Sequence, residues 1–136
     1  MRLWHKDLIP YLPNKQLLGQ WRECCAIASN IYHKGSPNHF IVNKIMNYPL
    51  SHFDIYTTLV FREMENRGYK PDYTKFSKYI DSATEVVSVN DLFSGWHNDK
   101  YLKQCFYNLQ EKYDCGGISK HDWKPIENYY SIVNSL

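Results

Sequence analysis

The feature that most constrains this chain is its helix punctuation. Stretches whose apolar residues recur every three or four positions are cut by glycine-containing stops at Gly35, Gly68 and Gly116–Gly117. Such a pattern predicts amphipathic helices joined by turns, with glycine supplying the left-handed residue that ends each one. The first helix is read from a cap at Asn14 to about Ile31. Its apolar residues are Leu17, Leu18, Trp21, Cys24 or Cys25, Ala28 and Ile31. Ser36 as cap and Pro37 as first helical residue open a short helix through Ile41 and Ile45. Ser51 and Asp54 form a capping-box pattern before Phe53, Tyr56, Leu59, Val60 and Met64. Asp72 caps a short piece through Phe76, Tyr79 and Ile80. The segment "TEVVSV" (84–89) reads as a brief extended piece with no second strand to pair with. Asn98 or Asp99 starts a helix through Tyr101, Leu102, Cys105, Phe106 and Leu109. Ser119 with Asp122 is a second capping box, and Pro125 is expected to limit the helix that follows. The prediction is an all-α fold: one compact helical domain over residues 1–136 with long connecting loops, and no internal repeat.

With 136 residues, 43% of them hydrophobic, one sizeable core is within reach. Aromatic content is high at 16%, including 12 Tyr and 4 Trp, whose polar tips suit a surface or a groove. The net charge of +2 permits a nucleic-acid partner without requiring one. No apolar run approaches the roughly 20 residues of a membrane span. Lys6, Asp7, Pro10 and Pro13 interrupt the opening where a signal peptide needs an unbroken apolar stretch, so the expected address is cytoplasmic. Cys24, Cys25, Cys105 and Cys115 form no CxxC, and no HExxH is present. The cysteines therefore read as reduced, buried thiols rather than a zinc site.

Arg22 and Glu23 stand side by side on the first helix. Gly19 lies one turn before Glu23 and Ala26 about one turn after, so the carboxylate sits between small residues. A glycine inside a helix costs about 0.5–1 kcal/mol relative to alanine, a cost that close approach of a ligand would justify. Taken alone, the pair reads first as two solvated charges, with Gly19 as incidental packing.

Two longer runs carry more. "KQLLGQWRE" followed by "PLSHFDIYTTLVFREMENRGYK" resembles the pyrimidine-dimer DNA glycosylases of the phage endonuclease V type. Trp21-Arg22-Glu23 matches that family's Tyr-Arg-Glu segment, and His52 with Asn66-Arg67-Gly68-Tyr69 matches a later helix and its ending. The resemblance covers residues 1–70. Beyond them it survives in outline, through Trp123, Lys124, Tyr129 and Tyr130. It implies an enzyme that removes a damaged pyrimidine base and then nicks the backbone as an apurinic/apyrimidinic lyase. The nucleophile would be the N-terminal α-amine, carried here by Met1, with Glu23 as acid/base. The chemistry is sound, because α-amines titrate near 7.7–8.0, against about 10.4 for lysine side chains, and imine formation needs the neutral amine. Because the amine itself serves as electron sink, no metal or organic cofactor is expected. Arg2 stands where the family has a basic DNA contact, and Arg22 remains to hold phosphate. Two positions depart from the family: its arginine three residues after the glutamate is Ala26 here, and its histidine seven before is Gln16. Both changes bear on substrate choice. The partner implied is double-stranded DNA holding a damaged or abasic site, engaged by a monomer.

Further candidates for DNA contact are Lys34 and His39, around a Gly-Ser-Pro turn, and Lys120, Trp123 and Lys124, which interleave charge with an aromatic. A solvated loop and a packed tryptophan are the plainer readings of these two groups. Arg62 and Arg67 read as partners of Glu63 and Glu65. Two rival functions stay open. One is a non-catalytic DNA-binding protein on the same scaffold; the other is an interaction module that does not touch nucleic acid.

Overall fold

The computed structural model describes residues 1–80 and 86–135. The described part is helical and contains no strand. Five α-helices carry the architecture: α1 (Asn14–Lys34), α2 (Leu50–Asn66), α3 (Thr74–Ser77), α4 (Asp99–Asp114) and α5 (Lys120–Asn134). Three 3₁₀ segments join them, at Lys6–Tyr11, Asn43–Asn47 and Val89–Asp91. Helix α1 packs on α2 and α3, α4 packs on α5, and the first 3₁₀ segment lies against α2 and α5. Buried side chains from every α-helix, and from residues 3–12, join in one hydrophobic cluster. Among the described residues no helix is long and apolar enough to cross a membrane.

The glycine stops fall where the sequence puts them. Gly35 ends α1 at φ 79°, its N–H bonded to Ile31 O at 2.9 Å. Gly68, at φ 90°, closes α2 through bonds from its own N–H to Glu65 O and from Tyr69 N–H to Met64 O, a Schellman arrangement. At the other ends, Asn98 accepts from Tyr101 N–H at 3.0 Å, and Ser119 accepts from Asp122 N–H at 3.1 Å.

Several starts differ from expectation. Asn14 is the first residue of α1 and not its side-chain cap; its amide oxygen instead accepts from Arg67 Nη1 at 3.0 Å. No capping box forms at Ser51, because α2 begins one residue earlier, after Pro49. Ser51 is buried, its hydroxyl without a partner among the described residues, and Asp54 accepts from Tyr73 OH at 2.6 Å. The helix expected from Pro37 is absent: Asn38 adopts φ 61°, and only Asn43–Asn47 winds up, as a 3₁₀ turn. Asp72 accepts from Thr74 N–H at 3.0 Å and introduces a piece of one turn only. Pro125 does not limit α5, which runs 15 residues. Burial of Trp123 and Ile126 on either side of the proline outweighs the single backbone bond it removes. Part of the extended piece expected at 84–89 lies outside the described residues.

The buried face of α1 is turned toward Glu23. Gln20, Cys24 and Ile27 are buried, while Leu18, Cys25 and Ile31, expected inside, are only half-buried. What packs on that face is the extended start of the chain.

Candidate active site

Residues 2–5 form no regular structure, yet side chains from three helices and from the turn before α4 hold their backbone and that of Lys6, where the first 3₁₀ segment begins. Arg2 N–H donates to Glu23 Oε2 at 3.1 Å. Gln20 grips the next residues twice: its Nε2 donates to Arg2 O at 2.9 Å, and its Oε1 accepts from Trp4 N–H at 2.7 Å. Tyr101 OH, from α4, donates to Leu3 O. Tyr56 OH, from α2, donates to Trp4 O at 2.6 Å. Lys6 N–H donates to His97 Nδ1 at 3.0 Å. Burial pushes both tyrosine hydroxyls above their ordinary range, so they stay protonated and act as donors. Buried peptide groups demand partners, and here each partner comes from a distant part of the chain.

This grip fixes the terminus. Met1 is joined directly to the peptide nitrogen that bonds Glu23, so covalent geometry keeps its α-amine within about 7 Å of that carboxylate. Met1 is 38% exposed, and Glu23 is half-buried. Both line an open cleft of about 280 Å³, together with Arg2, Trp4, Ile41, Asn108 and Lys112. Through Arg2 and Ile41 the cleft continues into a space of about 450 Å³ edged by Phe40, Lys44, Trp96 and Gln104. That space continues past Lys44 to Lys100. Along this groove Glu23 is, among the described residues, the sole acidic side chain lining the walls, against Arg2, Lys44, Lys100 and Lys112. A cationic groove leading to one carboxylate and one amine suits a polyanion whose sugar must reach that pair.

The Arg2 guanidinium lies 5.5 Å from the Trp4 ring centroid and reaches the Tyr101 hydroxyl. Arg22 is exposed on α1 and lines none of this groove; a side chain at Gly19 would meet only its guanidinium, at 3.9 Å. Gly19 thus keeps open space beside Arg22 and accommodates no neighbouring backbone. Gln16 is half-buried on the same helix, outside the cleft. Lys34 is exposed at the end of α1, and His39 is tied into the following loop, where its Nδ1 accepts from Ile41 N–H at 3.2 Å. Lys120 and Lys124 are exposed on α5 and line no wall of the groove. Trp123 corrects its expectation. It is 2% exposed, stacked on Tyr113 at 5.2 Å and packed against Phe106, so no ring face is free for a base.

Arg67 and His52, both in the family-like run, serve the framework. Arg67 pairs with Glu63 at 2.9 Å and donates to Leu12 O, Asn14 Oδ1 and Pro10 O, tying the end of α2 to the start of α1. His52 Nδ1 accepts from Phe93 N–H at 3.0 Å. Cys24 lies beside Glu23 in sequence but is fully buried, its thiol pushed up by desolvation, and it is no nucleophile. Among the described residues no three His, Cys, Asp or Glu side chains gather as metal ligands would.

Sequence reasoning missed Lys100, Gln104, Asn108 and Lys112, along with the anchoring roles of Gln20, Tyr56 and Tyr101. The groove cations sit on helix faces whose only sequence signal is ordinary surface charge.

A separate cavity of about 410 Å³ lies between the first 3₁₀ segment, α2 and α5, lined by charges of both signs, and does not reach Met1 or Glu23. No curated protein and no solved structure matches the chain. The family model for pyrimidine dimer DNA glycosylase matches residues 1–77, a span holding Met1, Arg2 and Glu23 with the Gln20 and Tyr56 side chains that anchor the terminus. The chain belongs to the pyrimidine dimer DNA glycosylase family.

Proposed function

We propose that this protein is a DNA repair glycosylase that removes a damaged pyrimidine from duplex DNA and then cleaves the strand as an apurinic/apyrimidinic lyase. The Met1 α-amine attacks the sugar C1′. The carbon–nitrogen bond forms as the glycosidic bond breaks, and the base leaves. Glu23 donates a proton to the opening sugar and steadies the cationic imine. The imine then draws electrons from C2′ as the Glu23 carboxylate takes a proton from that carbon, and the 3′ carbon–oxygen bond breaks, releasing the phosphate. Arg2 holds the backbone within the groove, Arg22 reaches it from the exposed face of α1 outside the groove, and no metal takes part. The observation that supports this reading is the Arg2 N–H to Glu23 Oε2 bond of 3.1 Å, which joins the peptide after Met1 to a carboxylate on the wall of a cationic groove.

Borohydride trapping on an abasic duplex, in EDTA, tests it. An adduct should form at the N-terminal residue and vanish when the α-amine is acetylated; an adduct that survives acetylation rules out Met1. Glu23→Gln should slow nicking by about 10²–10⁴-fold while DNA affinity holds. The second reading, a non-catalytic DNA-binding protein, draws on exposed Ala26 and on Gln16, where the family has charged or ionisable contacts. It predicts salt-sensitive binding with no nicking by the unaltered protein.

A further inference from the structure

The loop after α1 presents Phe40, 81% exposed and the most exposed Phe, Tyr or Trp ring among the described residues. Water should disfavour such a ring, yet the loop holds it outward. Pro37 and Val42 are buried on either side. Asn30 Nδ2 donates to Pro37 O at 3.0 Å, and His39 N–H donates to Asn43 Oδ1 at 3.1 Å. The His39 imidazole stacks on the ring at 4.9 Å, nearly parallel at 15°. Phe40 stands on the wall of the groove that Arg2 and Lys44 also line, and its neighbour Ile41 lines both that wall and the Met1–Glu23 cleft.

A sugar stacked within a duplex does not offer C1′ to a protein amine. The duplex must be kinked at the lesion, and the gap so made must be filled. We propose that Phe40 inserts into the base stack beside the damaged nucleotide, with Arg2 and Lys44 on the flanking phosphates, so that the opened sugar faces Met1 and Glu23. The ring is a positioning residue: it touches neighbouring bases and not the reacting bonds. An exposed flat ring sharing one groove wall with two cations matches what a kinked duplex presents, a stack opening between two phosphate rows. This inference rests on the repair reading above.

The test uses duplex DNA with 2-aminopurine next to an abasic site, together with a single-stranded abasic oligonucleotide. Unaltered protein should raise 2-aminopurine fluorescence on binding the duplex, as the base unstacks. Phe40→Ala should lose that rise and nick the duplex about tenfold or more slowly, while borohydride trapping on the single strand stays at the unaltered level. Phe40→Trp should restore both duplex signals. Because the ring is exposed, melting temperature should not change; Phe40→Ser provides a second small variant with the same expectation. A Phe40→Ala protein that unstacks and nicks the duplex as the unaltered one does overturns the proposal. So does one that loses single-strand trapping to the same extent, for then the ring would be building the site rather than opening the duplex. If the unaltered protein traps neither strand, it is the repair reading that fails.

Discussion

Gln20 uses both ends of its amide on the first four residues, accepting from Trp4 N–H and donating to Arg2 O, and its oxygen also takes the Tyr56 hydroxyl at 3.1 Å. Leucine at this position has similar volume and no polar atoms. Gln20→Leu would leave a buried N–H and a part-buried carbonyl unpaired, so it should lower stability by about 2–4 kcal/mol, measured by urea unfolding. It should also slow imine trapping under conditions where the variant is fully folded, because the terminus is no longer held at Glu23. Unchanged trapping would show that the other anchors suffice. Nothing in the local sequence distinguishes Gln20. It sits about one turn before Glu23, between Gly19 and Trp21, and its partners lie 16 and 18 residues away in a segment without periodicity. Glu23 was legible because its family-like neighbours mark it; the residue that aims the chain's first peptide at it was not.

Among the elements, those fixed by local chemistry were readable and those set by tertiary packing were not. Gly35, Gly68, Asn98 and Ser119 act within their own turn, and each does what its residue type predicts. Ser51 and Ser36 carry equally good capping signals, but burial of Ser51 and the left-handed Asn38 override them. The 3₁₀ segment at Lys6–Tyr11 escaped the periodic reading altogether. It is held from outside: Lys6 Nζ donates to Val89 O, Asn90 O and Leu92 O, and Arg67 reaches Pro10 O and Leu12 O. Arg67 thus joins three elements through one guanidinium. Arg67→Ala should cost about 2–3 kcal/mol in unfolding free energy, and Arg67→Lys should recover little, because an ammonium cannot span the same fork of acceptors. A lysine variant as stable as the arginine protein would contradict this account.

For the molecule as a whole, the centre is a ring cluster of His5, Phe93, Trp96, His97 and Tyr101. His5 and His97 are stacked at 5.1 Å, and His97 lies 4.9 Å from Tyr101. Burial, with His5 and Lys6 nearby, drives the His97 imidazole down to about 2 from its ordinary 6.5. Between those values the unfolded chain binds a proton that the native one does not, so stability is complete above pH 6.5 and falls as pH drops below it. At pH 5 the loss from His97 alone should be about 2 kcal/mol. The decline in urea-unfolding free energy from pH 7 to 5 should be smaller by that amount in His97→Gln; equal declines would refute the assignment. The all-α class was visible in the sequence because helices announce themselves every few residues. The cluster was not, since it gathers rings from residues 5 to 101 that no short window contains.

The hold of Tyr101 on Leu3 spans 98 residues. A chain emerging from the ribosome presents its first residues long before α4 exists to seat them, and such distant pairings form late. On the proposed chemistry, a loose amine would meet stray aldehydes wherever it drifted. On that chemistry, assisted strand cleavage waits for α4: the first residues are seated beside Glu23 only once Tyr101 has been made and folded into place.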